Sequence, residues 1–298
     1  MALLFDPQVL SEKVQAYFVQ KSLFAGMTGL GLPQGMDEVP AGFFNVFDQL
    51  KGKDGDTVTI PFYAKMANPA TVMVSGTPLV PEALADNKIA VSISKYGKAV
   101  EIYFNDEWKI ESSWQDEASR QIAQLLAEKF DADALTILDS TAGTPGSVQV
   151  DKSGAVLGYN AIQEALVEGF GDRFTEANVL MIHSAQHPSL LNDPKFVNAD
   201  FASSVGARTA ASVVGKIGNL YVIINDQIAS SGTPLVYKNY ICKPETVGLA
   251  RKQMVEFEAD RDVLAQKDIL VATLDAGLAP LHARYSTDDK RAIELLAQ

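Results

Sequence analysis

Cysteine is almost absent from this chain, since Cys242 is the only one among 298 residues. A disulfide within the chain is therefore impossible, and the apolar stretch VYKNYICK predicts that Cys242 is a reduced, structural, half-buried thiol. The sequence also lacks a run of 18 or more apolar residues, so it predicts no transmembrane helix. Its N-terminus lacks the basic region and apolar stretch of a secretory signal. These absences predict synthesis in the cytoplasm and no membrane partner.

Basic residues are scarce relative to acidic ones: 25 Lys and Arg stand against 37 Asp and Glu, a formal net charge of −12. Proteins that bind nucleic acid need clustered Lys and Arg to contact phosphates, so this balance argues against a repressor or a nuclease. It is compatible with a container whose wall should not adhere to packed DNA. The hydrophobic content of 47% is ordinary for one large globular domain or two moderate ones.

Histidine is rare too: the chain has three histidines, and they do not form a metal-binding motif. His183 and His187 have the spacing that places two imidazoles on one helix face. Ser184 stands where a metalloprotease has glutamate, and Pro188 makes an interior helical position doubtful. The third histidine, His282, is isolated in the sequence. We interpret the first two as a coincidental pair near a strand end.

Phosphate-binding and catalytic motifs are equally missing. The glycines of GMTGLGLPQG follow no strand and precede no helix, so the segment predicts a flexible arm. Two acidic groups could suggest a metal site: Asp131 with Asp133, and Glu256, Glu258, Asp260 and Asp262. The latter four alternate, and they are better explained as a solvated or subunit-facing acidic edge. The chain contains no G-x-S-x-G, H-E-x-x-H or redox CxxC pattern. The sequence therefore predicts no catalytic residue, no cofactor and no metal ion.

The first hundred residues are rich in segments that cannot build a core by themselves. A helix is predicted from Asp6-Pro7, with Leu10, Val14, Tyr17 and Phe18 on one face. The Gly- and Pro-rich stretch after Phe24, which contains Leu30 and Leu32, predicts an arm that lies across another surface. Strand-like alternation follows in residues 55–104, with a break at Tyr96-Gly97. The connection MANPATVMVSGTPLVPEALADN is too long for a compact turn, so it predicts a projecting two-stranded loop.

The clearest helical pattern lies between Ser112 and Ala142, a stretch without Gly or Pro. Ser112 or Ser113 can cap it, and Asp116 and Glu117 fall in its first turn. A helix of about 26 residues would be about 40 Å long. Its apolar stripe comprises Ala118, Ile122, Leu125, Leu126, Phe130, Ala134, Ile137 and Leu138. We expect Leu125 and Phe130 to face the protein body.

The remainder of the chain mixes strands and helices, which predicts an α+β body. TAGTPGSVQVDKSG is predicted to be a linker after the long helix. Further elements are then expected in this order: a helix at Tyr159–Phe170, strands at Val179–Ile182 and Leu220–Ile224, a long or paired strand region at Gly248–Ala272, and a C-terminal helix at about Asp288–Leu296.

The order of these parts resembles the Hong Kong 97-type capsid fold of tailed-phage major capsid proteins, in particular the branch that includes phage N-four. The resemblance is carried by GDTVTI at 55–60, Gly76 with Thr77-Pro78-Leu79, the return SISKYGKAVEIYFND, the helix ending FDADALTILD, VLMIHSAQHPSLLNDPKF, and GKIGNLYVIINDQI. Each motif is weak alone, whereas their order and spacing cover nearly the whole chain.

The resemblance implies a division into an N-terminal arm (1–50), an extended loop hairpin (51–105), a peripheral domain with a spine-like helix (106–154), an axial domain (155–250), and a return to the peripheral domain with the C-terminal helix (251–298). It also implies no substrate turnover. Some family members cross-link a loop lysine to a neighbouring asparagine, but neither Lys65 nor Lys88 matches that motif. The short stretch before the loop suggests a separate scaffolding protein.

The implied function is a shell protein that assembles with itself in hexamers and pentamers to form the icosahedral head around double-stranded DNA. It would not read DNA sequence, and it would work with a portal and decoration proteins in the virion. Loop and arm residues are predicted to contact other subunits: Val72, Met73, Val74, Leu79, Val80, Leu30 and Leu32. Two alternatives stay open: an encapsulin-like nanocompartment, which the long Gly- and Pro-rich arm disfavours, and a cytoplasmic α/β enzyme, which would be a compact monomer or dimer.

Overall fold

The computed structural model describes residues 13–14, 16–18, 44–50, 55–63, 66, 72–73, 81–84, 86–103, 114–139, 147–193, 213–282 and 290–298. Several predicted features lie outside the described residues: the caps Ser112 and Ser113, and the contact residues Leu30, Leu32, Val74, Leu79 and Val80. Within the described part, no helix combines the length and the apolar character needed to cross a membrane.

Thirteen strands and three α-helices make up the described part of the fold. The strands are β1 (Phe44–Phe47), β2 (Thr57–Tyr63), β3 (Asp86–Ser92), β4 (Ser94–Tyr103), β5 (Ser147–Asp151), β6 (Val179–Ile182), β7 (Val213–Ile217), β8 (Leu220–Ile224), β9 (Ser230–Ser231), β10 (Val236–Cys242), β11 (Val247–Asp262), β12 (Lys267–Pro280) and β13 (Ala292–Ala297). The helices are α1 (Trp114–Leu138), α2 (Tyr159–Phe170) and α3 (His187–Leu191), and a 3-10 helix (Gly171–Glu176) follows α2. The described residues 13–14 and 16–18 are helical as well.

A four-stranded sheet in the order β1-β11-β12-β4 carries helix α1 on one face. Strands β11 and β12 form a long antiparallel hairpin, and β4 pairs antiparallel with β12. Alternate residues of β12, such as Leu270, Ala272 and Leu274, are buried and share a core with α1. The period of two seen in the sequence therefore orients this sheet with one face toward α1.

Helix α1 confirms the long helix that the sequence predicts, with Asp116 and Glu117 in its first turn. A nearly continuous row of its side chains is buried, among them Ile122, Leu126, Phe130, Ala134 and Leu138. The expectation for Leu125 is wrong, because its side chain is 46% exposed. The adjacent Leu126 takes the core position, since neighbouring residues on a helix are rotated by about 100° from each other.

A seven-stranded sheet forms the second half of the fold, in the order β5-β13-β10-β6-β8-β7 with β9 paired to β10. Its side chains alternate between two cores. Val179, Met181, Tyr240 and Cys242 belong to the core that contains α1. Leu180, Ile182 and Ile241 belong to the core covered by α2. Because both faces are covered, β6 and β8 consist of continuous apolar residues.

Four local expectations are corrected by the structure. The prediction of a C-terminal helix is wrong, because Ala292–Ala297 is a buried strand between β10 and β5. The predicted linker contains β5, which pairs in parallel with β13. The break between the two strands after the loop lies at Ile93, whereas Tyr96-Gly97 runs inside β4. Cys242 is fully buried, not half-buried. In each case the pairing partner is distant in sequence, so local periodicity could not reveal it.

Candidate functional site

The strands β2 and β3 pair with each other and form a separate two-stranded hairpin. This hairpin and the described residues between its strands are called the arm from here on, as distinct from the N-terminal arm of residues 1–50. Its base packs on the start of β11 and on the end of β12. A small apolar cluster joins them, comprising Val58, Ile60, Val91, Ala250, Ala279 and Leu281. The other face of the arm is exposed at every described position of β2 and β3. The arm is thus anchored at its base through one face only.

Close backbone contacts fix the base of the arm. The Ile93 N–H donates to the carbonyl oxygen of Asp56 at 2.7 Å, which closes the base of the hairpin. Gly277 on β12 lies against the backbone of Ser92, and a Cβ atom at position 277 would overlap the Ser92 carbonyl oxygen. Glycine is therefore the residue that allows β12 to pass under the end of β3.

The distal part of the arm exposes apolar side chains. Val72 is 92% exposed and Met73 is 72% exposed, and Tyr63, Met66 and Leu84 are also more than half exposed. Val72 and Met73 are two of the residues that the sequence predicts as inter-subunit contacts. A group of exposed apolar side chains on a projecting element is typical of a surface that becomes covered on association.

The tip of the β11–β12 hairpin is a second exposed apolar site, which the sequence analysis does not identify. Val263 is 72% exposed and Leu264 is 98% exposed. Oδ1 of Asp262 accepts the backbone N–H groups of Leu264 at 3.0 Å and Ala265 at 2.9 Å. These two hydrogen bonds stabilise the turn that carries Val263 and Leu264. The signal in the sequence is the pair Val-Leu within the charged segment EADRDVLAQKD.

A buried charge network connects α1 to the seven-stranded sheet. The Lys238 ammonium lies 3.0 Å from both carboxylate oxygens of Asp139, just after α1, and 3.6 Å from Oε1 of Glu294 on β13. Gln149 Nε2 donates to the same Glu294 oxygen at 3.1 Å. The Glu294 side chain is fully buried. A buried carboxylate needs such partners, so the network fixes how the end of α1 meets the sheet.

The candidate chemical groups of the sequence do not come together as a site. His183 accepts the Ala185 N–H at 3.0 Å through Nδ1, whereas His187 begins α3, so the two imidazoles do not share a helix face. Burial raises the pKa of the Cys242 thiol, which keeps it protonated and disfavours nucleophilic chemistry. Across the described residues, no group of three or more His, Cys, Asp or Glu side chains could hold a metal ion.

The chain matches the family model described as phage capsid protein over residues 86–287, about two thirds of its length. No curated protein sequence matches it. Similar solved structures include the capsid of cyanophage P-SCSP1u, with 16% identity, a TM-score of 0.60 and 86% coverage of both chains. The head of Helicobacter pylori bacteriophage KHP40 has 13% identity and a TM-score of 0.66, with 94% of this chain and 91% of that chain covered. The capsid of Ralstonia phage GP4 has 13% identity and a TM-score of 0.63, with 85% and 86% covered.

These matches confirm the resemblance seen in the sequence and its α+β fold class. The structural matches give the fold, and the family model gives the membership. The chain belongs to the phage capsid protein family and is a major capsid protein with the Hong Kong 97-type fold.

Proposed function

We propose that copies of this chain assemble into the icosahedral head shell that encloses the double-stranded DNA genome of a tailed phage. The observation that carries this proposal is the arm, because Val72 and Met73 are exposed and belong to none of the three apolar cores of the described residues. Covering such side chains contributes roughly 25 cal/mol per Å² of apolar surface. A neighbouring copy supplies this cover, and repetition of the contact closes a shell.

Three of the parts implied by the family correspond to structural units of the described residues in this proposal. The arm of β2 and β3 is the extended loop, and α1 with the four-stranded sheet is the peripheral domain. The seven-stranded sheet with α2 is the axial domain. Because β5 and β13 pair within that sheet, we assign residues 147–151 and 292–297 to the axial domain in this proposal, together with residues 155–250.

The remaining partners follow from the role in a head. The shell encloses DNA without sequence-specific contacts, in keeping with the net charge of −12. A separate scaffolding protein and a portal guide assembly, and decoration proteins bind the finished shell. The chain is made in the host cytoplasm and ends in the virion. It performs no substrate turnover in this role.

The arm can be tested by deletion and by substitution. Deleting residues 68–84, or replacing Val72 and Met73 with aspartate, should leave a folded subunit that no longer forms particles. Val156→Asp is a matched control, since Val156 is also exposed but lies in the loop before α2. Size-exclusion chromatography and electron microscopy give the readout. Normal shells from the arm variants would contradict this role for the arm.

The same images distinguish the alternatives. A phage head protein should form large shells, while an encapsulin-like compartment should form small uniform shells that contain protein. A wild-type chain that remains a compact monomer or dimer under all assembly conditions would contradict the shell function itself.

A further inference from the structure

Two irregularities interrupt the pairing of β11 with β12 beside the base of the arm. The first lies between Arg251 and Gln253, whose partners on β12 are adjacent residues, so Lys252 is an extra residue of β11. The second lies between Gln253 and Glu256. The pairing of β1 with β11 ends at Ala250, directly before this stretch. Such bulges bend a strand and redirect a side chain from the regular alternation.

Two consecutive basic residues at the first bulge bind both ends of the connection between β1 and the arm. Arg251 makes a two-point contact with the Asp48 carboxylate, at 2.8 Å and 2.5 Å, just after β1. The Lys252 ammonium donates to the carbonyl oxygen of Gly55 at 3.1 Å and lies 3.7 Å from the Asp56 carboxylate, just before β2. In a regular strand, neighbouring side chains point to opposite faces. The bulge allows both to act on one connection, and we call Arg251 and Lys252 the clamp.

The clamp gives the arm a direction, which the apolar contacts of the arm do not. The cluster that contains Val58, Ile60 and Val91 joins the base of the arm to the body, but apolar burial is not directional. A two-point contact between a guanidinium and a carboxylate fixes the relative geometry of both groups. The Arg251 side chain is 17% exposed and that of Lys252 is 27% exposed, so salt screens their contacts less than those of a fully exposed pair.

The length of the arm magnifies any error in its direction. Strand β2 begins beside the clamp and has 7 residues, so its far end lies about 20 Å away. A rotation of about 10° at the base would move that end by about 3.5 Å, which is more than the length of a hydrogen bond. The exposed Val72 and Met73 follow β2 in the chain. Identical copies close a shell only when each presents its contact surface in the same orientation.

On the basis of the proposed shell function, we propose that Arg251 and Lys252 are positioning residues for assembly, because they set the angle at which the arm leaves the body. Without the clamp the arm keeps its strands and its exposed apolar residues, so copies of the chain still associate. The contact then forms at variable angles, and a contact whose rotation does not close gives open or irregular assemblies. This outcome differs from the loss of assembly expected when the arm itself is deleted.

The direction of the arm can be measured in the unassembled subunit by pulsed electron paramagnetic resonance. Tyr63→Cys on the arm and Glu258→Cys on β11 place spin labels at two exposed positions. The buried Cys242 does not compete for the label. The distribution of label distances should become at least about twofold wider when Arg251→Met and Lys252→Met are combined, because no two-point contact then fixes the arm. An unchanged width would overturn the proposal, whatever the result of assembly.

Electron microscopy of the assembled material gives the second readout. The double variant should form closed particles of wild-type size at less than about one fifth of the wild-type yield, with open or irregular assemblies in their place. Lys252→Arg keeps a cation at this position and should assemble like the wild type. Lys267→Met is the matched control, because it breaks a pair of similar exposure between β12 and β4 that does not touch the arm. Irregular assemblies from this control would overturn the specific role of the clamp.

Circular dichroism checks that each variant is folded, and Lys252→Met alone takes the place of the double variant if the latter does not fold. Failure of the wild-type chain to form particles would contradict the shell function, and the label distances would still test the clamp. Once wild-type particles form, normal particles from the clamp variants would overturn the proposal. A folded variant that does not associate at all would overturn it equally.

Discussion

The ring of Phe130 on α1 meets the ring of Phe18 edge to face, with centroids 6.0 Å apart and planes at 66°. Phe44 of β1 approaches the same ring, with centroids 6.4 Å apart. All three side chains are buried. One aromatic cluster therefore joins the N-terminal helical segment, the first strand and the long helix, which are far apart in the sequence.

Replacing Phe130 with alanine should lower the free energy of unfolding by about 3–5 kcal/mol, because the substitution leaves a cavity and removes both ring contacts. Urea denaturation of the unassembled subunit, followed by circular dichroism, measures this change. Leu125→Ala is the matched control on the same helix. Leu125 is 46% exposed, so its truncation should cost less than about 1 kcal/mol. Equal losses in the two variants would contradict the helix orientation.

Breaking the Lys238 network should lower the free energy of unfolding more than breaking a surface ion pair does. Lys238→Met removes the ammonium that contacts both Asp139 and the buried Glu294 carboxylate, and breaking a buried pair in this way costs about 3–5 kcal/mol. Lys129→Met breaks the exposed pair between Lys129 and Asp133 and should cost at most about 1 kcal/mol. Thermal and urea unfolding compare the two. Adding Glu294→Met to Lys238→Met should recover most of the loss, and no recovery would show that the carboxylate is not the cause.

Gly277 gives a test of the arm base. Gly277→Ala introduces a Cβ atom that overlaps the Ser92 carbonyl oxygen, so β12 or β3 must move, at a cost of about 1–3 kcal/mol. Particle yield should fall as well, because the base of the arm shifts. Gly154→Ala is the control, since its Cβ would meet no atom within 4 Å. Unchanged stability and unchanged yield of Gly277→Ala would show that the close approach is not a constraint.

The locally coded elements were predictable from the sequence. The bounds of α2, β6 and β8 match the predicted segments, and α1, with 25 residues, matches the predicted length of about 26. The structure of the C-terminal segment AIELLA could not be predicted from the sequence, because a short apolar run fits a helix or a buried strand equally well. Its state is decided by β10 and β5, strands that lie 50 residues or more away in the chain. Local periodicity carries no information about such partners.

The exposure of two candidate contact residues was predictable from the sequence, whereas their contact with other subunits stays a prediction. The exposed Val72 and Met73 follow from an apolar segment that has no periodic structure of its own. The Lys238 network could not be predicted, because Asp139, Lys238 and Glu294 are brought together only by the tertiary fold. The exposed hairpin tip at Leu264 could not be predicted either, because its position depends on where β11 ends and β12 begins. Sequence reasoning therefore found the projecting element but not the contacts that fix its base or connect the two sheets.

The net charge of −12 predicts that the isolated subunit does not retain duplex DNA. Binding to phosphates requires clustered cations, and the acidic excess repels the duplex within a Debye length of about 10 Å at 0.1 M salt. A gel-shift titration with duplex DNA tests this, with a basic DNA-binding protein as the positive control. Retention of DNA at micromolar subunit would contradict the proposed non-adhesive wall.

The last prediction concerns Cys242 and alkaline pH. Burial raises the pKa of the Cys242 thiol above its ordinary value of 9.0, so the native state favours the protonated form more than the unfolded state does. The sign follows from linkage: this contribution to stability is fully present below pH 9 and is lost as the pH rises above it. Burial, and after it the hydrogen bond to Asp133, raises the pKa of Tyr96 from its ordinary value of 10 to about 12. The folded state therefore loses further stability between pH 10 and pH 12.

The free energy of unfolding should therefore decrease steadily from about pH 9 upward. Cys242→Ala should flatten the first part of this decrease, and Tyr96→Phe should flatten the part above pH 10. The slope is the readout, because Cys242→Ala also removes some packing at every pH. A native thiol held protonated should not react with a thiol reagent until denaturant exposes it, since the thiolate is the reactive form. Rapid labelling of the folded subunit, together with an unchanged pH slope in Cys242→Ala, would contradict the burial of this thiol.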